Sequence, residues 1–346
     1  MKIHRFRTER GKGRLLKGLV LGVVAVLTVT PNLYGQGYRN QFVPYSTVGV
    51  GVGTSSYYGD LAAYRRVFAS TFKMMRWSVT GEYTRHFSPR FAARASLTWA
   101  RIAGDDYIMN RSGAHVDYHL FIRNLHFRND IKELAAVGIY KLTPDGKSYD
   151  RRPQFGAYLF GGVALFAHNP KARLPLLEDS NEKQRWVALQ PLGTEGQGRE
   201  GGDKLYSLVK LAIPLGVGVR YKINPKFDIA AELGFRITTS DYLDDVSKRS
   251  YADPDLLNST GDTRAAELAN RTLERRPARK PNESRDGLLR QYLGLDEGTD
   301  PYAFLEANPQ WTSVRGTKES RKDSYMTGTI KLIYVLGPTV KCPPIK

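Results

Sequence analysis

The sequence predicts an all-β protein, a transmembrane antiparallel β-barrel of about eight strands with long extracellular loops. Three observations predict this fold class: an N-terminal export signal, long segments in which apolar and polar residues alternate, and connections that alternate between short and long. With 41% hydrophobic and 11% aromatic residues, the 346-residue chain is also too apolar to be disordered.

The N-terminal segment has the composition of a signal peptide. Seven Lys and Arg residues within Lys2–Lys17 precede the almost wholly apolar run Gly18–Thr28. That run is shorter than the roughly 20 residues that a spanning helix needs, which disfavours the alternative of a membrane anchor. We therefore expect a signal peptide at 1–36 and an outer-membrane barrel at 37–346.

Long alternating segments predict the membrane strands. Between Val209 and Tyr221 every odd position is apolar, whereas the even positions include Lys210 and Arg220. Strands of soluble proteins usually run about 5 to 6 residues, but outer-membrane strands need about 9 to 11 with alternating faces. Eight such segments occur, at about 45–56, 74–87, 90–102, 123–140, 153–166, 207–223, 227–239 and 325–336. The even number suits a closed bacterial barrel.

Two tight turns predict the strand register. If Phe87–Pro89 is a three-residue loop, His86 pairs with Arg90, and Glu82 lies directly opposite Arg94. The turn Asn224-Pro225-Lys226, counted in the same way, pairs Val219 with Ala231 and Leu215 with Phe235. Both registers keep apolar faces together across the hairpin.

The same registers place aromatic residues at two heights on the outer face. Trp77 and Trp99 lie near one rim, about ten residues along the strand from the other rim. That distance is about 33 Å along a strand, or about 25 Å of membrane normal at a tilt near 40°, which matches an outer-membrane apolar band. The aromatic residues of the second rim are Tyr83, Phe87, Phe91, Tyr221 and Phe227.

The long connections are predicted to face the outside of the cell. They lie at about 57–73, 103–122, 167–206 and 240–324, whereas the short turns face the periplasm. The 240–324 loop contains a segment with helical bias at Thr263–Arg271.

A narrow barrel predicts a lumen filled by side chains. An eight-stranded barrel has an interior just wide enough for its own residues, and unpaired buried charges cost several kcal/mol each. Charges of both signs on the lumen faces therefore predict a structural ion network, with an ion-selective lining as the alternative. The predicted members are Glu82, Arg94, Lys210, Arg220, Glu232 and Arg236.

No cofactor site is predicted. The glycines of Gly49–Gly53 alternate within a strand instead of opening a helix, so they indicate barrel packing and not a dinucleotide site. Asp145–Ser148 contains Gly-Lys-Ser, but Lys141 stands where a phosphate-binding loop needs its first glycine.

Histidines raise two further possibilities. His115, Asp117 and His119 would share one face of an extended chain and could bind a metal, although solvated histidines in a surface loop are the preferred interpretation. A lipid-modifying enzyme would need His86 or His126 near a serine and an acid at one rim. Neither histidine has a local nucleophile motif, so no catalytic residue is predicted.

Charge and cysteine content narrow the partners. Removing 1–36 takes away seven cations and Glu9, which lowers the net charge from +18 to +12. An exported basic protein without a nucleic-acid motif suits anionic lipopolysaccharide or an acidic protein partner. The single cysteine, Cys342, excludes an intramolecular disulfide; it is either incidental or an intermolecular link.

Six segments resemble the PorG-like outer-membrane barrels of Bacteroidota, which are associated with the type IX secretion system. Together they span most of the mature chain, and the resemblance weakens between about 265 and 320. The segments are Gly49–Leu61, Phe87–Asp106, Asn124–Tyr140, Phe155–Ala172, Gln190–Gly198 and Ser240–Tyr251.

The resemblance implies a non-enzymatic part in assembling or anchoring the secretion machinery. The implied partners, besides outer-membrane lipid, are the periplasmic ring proteins, a lipoprotein and its partner. The expected contact surface is the turn Asn224, Pro225 and Lys226 together with the tail 337–346, which includes Cys342. A surface adhesin that binds through its long loops and, less favoured, a lipid-modifying enzyme are the alternatives.

Overall fold

A computed structural model describes residues 42–62, 66–111, 117–175, 185–259, 261–316 and 322–337. The predicted signal peptide, His115 and the tail residue Cys342 lie outside these residues. Within them, eight long antiparallel strands follow the predicted segments closely. The strands are β1 (Tyr45–Tyr58), β2 (Arg76–His86), β3 (Phe91–Asp105), β4 (His126–Lys141), β5 (Phe155–Ala167), β8 (Val209–Lys222), β9 (Phe227–Thr238) and β10 (Ser324–Leu336).

The eight strands form a closed barrel, which confirms the predicted fold class. Each strand pairs with its neighbour in sequence, and β1 pairs with β10 over the full strand length. Two short strands, β6 (Lys171–Arg173) and β7 (Trp186–Ala188), extend the wall beyond the end of β4. Because apolar and polar residues alternate along each strand, one face of the closed sheet is apolar and the other carries the lumen residues.

The predicted register of the first hairpin is wrong by two residues, while that of the second is confirmed. Glu82 lies opposite Ser96, and Arg94 lies opposite Thr84. The turn has the predicted length but lies one residue later, at 88–90, because the backbone N–H of Phe87 donates to the Phe91 carbonyl and pairs these two residues. A shift of two residues keeps every side chain on its face. In the second hairpin Val219 pairs with Ala231 as expected.

The outer surface carries an apolar band between two aromatic girdles. Side chains at mid-height, such as Val50, Leu97 and Val163, are 65–66% exposed. Trp77 and Trp99 pack edge to face at one rim, with ring centroids 5.1 Å apart. Aromatic pairs at the other rim include Phe91 with Tyr140 and Phe227 with Tyr334. Such a band between aromatic girdles is the lipid-facing surface of an outer-membrane barrel, and the protein therefore lies in the outer membrane.

The long loops fold into short helices over the extracellular end of the barrel. In the described residues no helix is long and apolar enough to cross a membrane. The predicted helical bias at Thr263–Arg271 is confirmed by one of the helices. They are α1 (Val67–Lys73), α2 (Asp106–Asn110), α3 (Tyr118–Arg123), α4 (Pro254–Asn258), α5 (Arg264–Ala269), α6 (Asp286–Leu293) and α7 (Pro301–Ala307), with 3-10 turns at Gln190–Leu192 and Pro309–Thr312. A further 3-10 turn, Tyr149–Arg151, lies in the periplasmic connection between β4 and β5.

Candidate functional site

Four charged side chains form a ring across the middle of the lumen. Lys331 Nζ lies 2.5 Å from Glu82 Oε2 and 2.5 Å from Glu232 Oε2. Arg94 pairs with Glu232, and its Nη1 lies 3.3 Å from Glu82 Oε2. The two cations and two carboxylates balance, and all four side chains are buried. Balanced pairing offsets the desolvation that each buried charge costs.

The alternating glycines of β1 make room for this ring. A β-carbon on Gly49 would lie 3.1 Å from the Glu82 Cγ, and one on Gly51 would lie 2.8 Å from the Lys331 Cγ. A larger residue at Gly49 or Gly51 would therefore press against a member of the ring. The glycine motif is part of the lumen packing, as its position within a strand predicts.

A second ion pair lies nearer the extracellular end of the lumen. Arg236 Nε lies 3.3 Å from Glu133 Oε2, and Arg236 Nη1 donates to Thr327 Oγ1 at 2.5 Å. The hydroxyl of Tyr325 also donates to Glu133. Apolar side chains such as Phe166 fill the surrounding space.

The turn at 142–154 closes the periplasmic end of the lumen. The Asp145 carboxylate accepts hydrogen bonds from Tyr45 at 2.7 Å and from Arg220 at 2.6 Å, and it pairs with Lys141. Burial raises the pKa of Asp145, but the cations Arg220 and Lys141 outweigh burial, so the pKa lies below its usual range. The turn is thus held inside the barrel mouth by charge-assisted bonds.

Little space remains inside the barrel. A cavity of about 40 Å³ lies in the periplasmic half, beside His86, Tyr158 and Arg220. A water molecule needs about 10–15 Å³ of such volume, so the cavity holds a few waters at most. The lumen of the described barrel is therefore a packed core.

The predicted lumen residues all lie on inward-facing positions, but they do not form one network. Glu82, Arg94 and Glu232 share the central ring, Arg236 belongs to the extracellular pair, and Arg220 belongs to the periplasmic cluster. Lys210 lies at the loop end of β8, and no ion pair joins it to these groups within the described residues.

Sequence reasoning missed several partners in the lumen. Lys331 and Glu133 lie on the inward faces of β10 and β4, and their position in the alternation of those strands was the signal that could have found them. Asp145 and Arg152 lie in a turn, where no periodicity marks a buried side chain.

The extracellular loops are tied together by three buried arginines. Arg123, 2% exposed, forms a two-pronged ion pair with Asp106, with both N–O distances 2.7 Å. It also donates to the backbone carbonyls of Asp60 and Arg315. Arg285 donates through both terminal nitrogens to four backbone carbonyls of the loops.

Arg315 connects the last loop to the third. Its Nε lies 3.2 Å from Glu195 Oε1, and its Nη2 donates to Thr194 Oγ1 at 2.9 Å. The same nitrogen donates to the Asp245 carbonyl at 3.1 Å. Burial raises the pKa of Asp245 to about 6, although the neighbouring Arg315 favours its ionised form. We call the loop assembly held by Arg123, Arg285 and Arg315 the loop cap.

A carboxyl pair lies where the loop cap meets the lumen. The Tyr57 hydroxyl lies 2.6 Å from Asp244 Oδ2 and 2.8 Å from Asp323 Oδ1. One hydroxyl proton cannot serve two carboxylates, so this geometry calls for a proton on one of the acids. Burial raises the pKa of Asp244 and Asp323 well above the usual range, and the nearby Asp60 charge raises both further.

The histidines form no catalytic or metal-binding set in the described residues. Asp117 is not in an extended segment as predicted: its carboxylate caps helix α3, and His119 stacks on Trp311 within the cap. His86 Nε2 lies 3.4 Å from Thr47 Oγ1, and His126 Nε2 accepts the backbone N–H of Arg173 at 2.9 Å. In the part of the chain that the structure describes, no group of three or more acidic, His or Cys side chains is arranged to hold a metal ion.

The predicted periplasmic contact turn is exposed, and its backbone is held by hydrogen bonds. Asn224, Pro225 and Lys226 are all exposed. The Asn224 Oδ1 accepts the backbone N–H of Lys226 at 2.8 Å and that of Phe227 at 2.9 Å. Arg152, paired with Asp228 at 2.8 Å, also donates to the Pro225 carbonyl.

No family model matches the sequence, and no curated protein is significantly similar to it. Among solved structures, the chain is similar to Ail, the attachment invasion locus protein of Yersinia pestis, bound to the heparin analogue sucrose octasulfate (8% identity, TM-score 0.32, covering 85% of this chain and 99% of that one). It is also similar to Neisserial surface protein A, with 8% identity and a TM-score of 0.34, over 84% of this chain and 96% of that one. A third similar structure is the N-terminal β-barrel domain of Pseudomonas aeruginosa OprF, with 10% identity and a TM-score of 0.29, over 85% of this chain and 100% of that one. These low scores assign no function to the chain.

Proposed function

We propose that this protein is a non-enzymatic outer-membrane component of the type IX secretion machinery, serving its assembly or anchoring. One observation carries the proposal. Residues from four separate segments that resemble PorG-like barrels meet around Arg123 and Arg315: they are Asp60, Asp106, the pair Thr194 and Glu195, and Asp245. Because the segments meet in one buried cluster, their likeness to PorG-like barrels supports a loop architecture that this protein shares with those barrels.

The packed lumen supports a role carried out on the faces of the barrel. The ion ring and the side chains around it fill the middle of the described lumen, and the cavity beside His86 has about 40 Å³, which is room for a few waters. Both ends of the lumen are covered, by the 142–154 turn on one side and by the loop cap on the other. Binding of partners at the periplasmic rim or on the loop cap is the activity that remains.

We place the partner contact on the periplasmic turn Asn224-Pro225-Lys226 and the tail that includes Cys342. The proposed partners are the periplasmic ring proteins, a lipoprotein and its partner. The turn is exposed, and Arg152 fixes its backbone from inside the barrel. A preorganised turn loses little entropy on binding.

Co-purification of the ring proteins with tagged barrel tests this contact. Asn224 forms the turn by its own hydrogen bonds, so the variant is Pro225→Ser with Lys226→Glu, which keeps Asn224. Lys204→Glu makes the same charge change in an exposed extracellular loop and is the matched control. We expect the turn variant to lose most of the ring proteins and the control to keep them. Undiminished recovery from the turn variant, also after deletion of residues 341–346, would contradict the contact.

A second candidate function is binding at the cell surface. The ordered loop cap favours it, because a loop platform fixed by buried arginines can present a defined surface. Leu273 is 44% exposed on that cap. If the barrel is an adhesin, Leu273→Asp will weaken the attachment of cells that express the barrel to the surface on which the wild-type cells attach. Secretion of type IX cargo will stay normal in the same cells.

A further inference from the structure

One sector of the lipid-facing wall carries basic residues at and above the extracellular tryptophans. Trp99 lies opposite Lys132, and Arg101 lies opposite Asp130. Directly opposed residues of an antiparallel pair project from the same face, about 4.5–5.5 Å apart. Because Trp99 faces lipid, Lys132 and the Arg101–Asp130 pair face outward as well.

The short strands β6 and β7 continue this face upward. Arg128 lies opposite Lys171, and Arg173 lies opposite Trp186. Arg128 faces outward because it alternates in step with Asp130 and Lys132 on β4. We call these five cations the basic flank: Arg101, Arg128, Lys132, Lys171 and Arg173.

The basic flank has a surplus of positive charge. Its one carboxylate, Asp130, is bonded to Arg101 through both oxygens, at 2.6 and 2.9 Å. In the described residues no carboxylate lies within ion-pair distance of Arg128, Lys132 or Lys171. Three neighbouring cations therefore make no direct ion pair, and the single Asp130 charge, already bonded to Arg101, does not balance them.

Trp186 holds two guanidinium groups in place without neutralising them. The Arg128 Cζ lies 4.2 Å from the Trp186 ring centroid, and the Arg173 Cζ lies 5.2 Å from it. Stacking on an aromatic face orients a guanidinium without neutralising its charge. The Arg173 Nη1 already donates to the Ala278 carbonyl at 3.1 Å, so Arg128 supplies the guanidinium N–H groups for an anion. The buried Nε of Arg128 has no hydrogen-bond partner in the described residues.

The basic flank lies at the height of the lipid headgroups. Arg101 is two residues beyond Trp99, which is about 7 Å along the strand and about 5 Å along the membrane normal at a 40° tilt. The polar interface on each side of the apolar core is about 5 to 8 Å thick. The long side chain of Lys132 can reach the same height by extending upward from the girdle.

The sector of β8 and β9 lacks this feature. There the outward-facing residues near the extracellular end are Val209, Leu211 and Ile237, each about half exposed. The wall of β8 and β9 is thus apolar at the height where β3, β4 and β6 carry positive charge.

We propose that the basic flank binds the phosphate groups of an outer-leaflet glycolipid, a phosphorylated disaccharide of the lipid A type. The guanidinium forks and ammonium groups would bind the phosphates. The acyl chains would pack below, on the apolar band beside Trp77 and Trp99. Charge surplus, fixed guanidinium groups and headgroup height all match that ligand.

Native mass spectrometry with added diphosphoryl lipid A tests the proposal. The test variant is the triple substitution Arg128→Gln, Lys132→Gln and Lys171→Gln in the full chain. The control removes the same charge from exposed cap residues by Lys204→Gln, Arg249→Gln and Arg276→Gln. We expect the test variant to bind diphosphoryl lipid A at least tenfold more weakly than the wild type, and the control to bind it as tightly as the wild type. The wild type should bind dephosphorylated lipid A as weakly as the test variant binds the phosphorylated lipid.

Equal binding by the test variant and the wild type, or equal binding of both lipids by the wild type, would overturn the proposal. Heat-modified migration on gels establishes that each variant is folded. If the triple variant does not fold, the double variant Lys132→Gln and Lys171→Gln replaces it, with an expected loss of at least threefold. The same experiment in 500 mM salt must weaken wild-type binding of the phosphorylated lipid; salt-insensitive binding would also count against the site.

Discussion

Gly51 leaves the space that the Lys331 side chain occupies in the lumen: a β-carbon on Gly51 would lie 2.8 Å from the Lys331 Cγ. The relationship links a sequence motif on β1 to the ion ring of Glu82, Arg94, Glu232 and Lys331. A small residue on one strand thereby sets where a buried charge can lie on the next.

Gly51→Val should destabilise the barrel, because the new side chain pushes Lys331 away from its two carboxylates. Overpacking of this kind costs about 1–3 kcal/mol. Gly81 is the matched control, since a β-carbon there meets nothing within 4 Å. Urea unfolding followed by tryptophan fluorescence should show a lower midpoint for Gly51→Val and no decrease for Gly81→Val. Equal midpoints for the two variants would show that the close contact has no energetic weight.

The packed lumen predicts that the purified protein forms no steady ion channel. The ion ring crosses the middle of the described lumen, the Asp145 cluster lies at its periplasmic end, and the cavity near these groups has about 40 Å³. Recordings in planar bilayers should show no unitary conductance with the wild-type protein. A reproducible open channel would mean that the lumen opens, and it would revive the alternative of an ion-selective lining.

The eight strands were predictable because apolar and polar residues alternate over about a dozen positions in a membrane strand, as they do in Val209–Tyr221. The first hairpin register was not predictable, since moving a three-residue turn by one residue changes the pairing by two and keeps every side chain on the same face, and so Glu82 was placed opposite Arg94. The ion pair between those residues nevertheless forms, at 3.3 Å, because long side chains reach diagonally across the strands.

The loop cap could not be predicted from local pattern. Arg315 contacts Glu195 and Asp245 across long sequence separations, and nothing near Arg315 in the sequence distinguishes it from an exposed arginine such as Arg276. Buried arginines in loops are recognised only once their carboxylate and carbonyl partners are brought together by the fold.

Arg315→Ala should open the loop cap, because it leaves Glu195 and Asp245 buried without their cation. Removing one partner of a buried pair typically costs about 3–5 kcal/mol. Limited proteolysis of the protein in detergent should cut within 240–316 much faster than in the wild type, while the barrel stays folded on gels. Arg276→Ala, at an exposed cap position, should leave cleavage unchanged. Resistance of Arg315→Ala to the protease would contradict the role of Arg315.

The carboxyl pair Asp244 and Asp323 predicts that the loop cap weakens as pH rises. Their pKa values are raised by burial in the folded state, whereas an unfolded aspartate has a pKa of about 3.9. The folded cap therefore holds a proton that the open cap releases, so stability is full at low pH and falls as pH rises through the raised pKa.

Hydrogen exchange of residues 240–259 from about pH 4, near the unfolded pKa, up to about pH 9, corrected for intrinsic rates, measures this dependence. Asp244→Asn should flatten it, because the amide can donate to Tyr57 without titrating. Asp255→Asn, at an exposed position, should leave the wild-type slope. A wild-type slope that persists in Asp244→Asn would place the titrating proton elsewhere.

Secretion of type IX cargo by cells that lack the gene tests the proposed function most directly. Complementation with the wild-type gene and with the Pro225→Ser, Lys226→Glu variant then separates the role of the protein from that of its periplasmic turn. We expect cargo to accumulate in the periplasm of the deletion strain, wild-type complementation to restore secretion, and the turn variant to restore it poorly. Normal secretion by the deletion strain would contradict the proposed function.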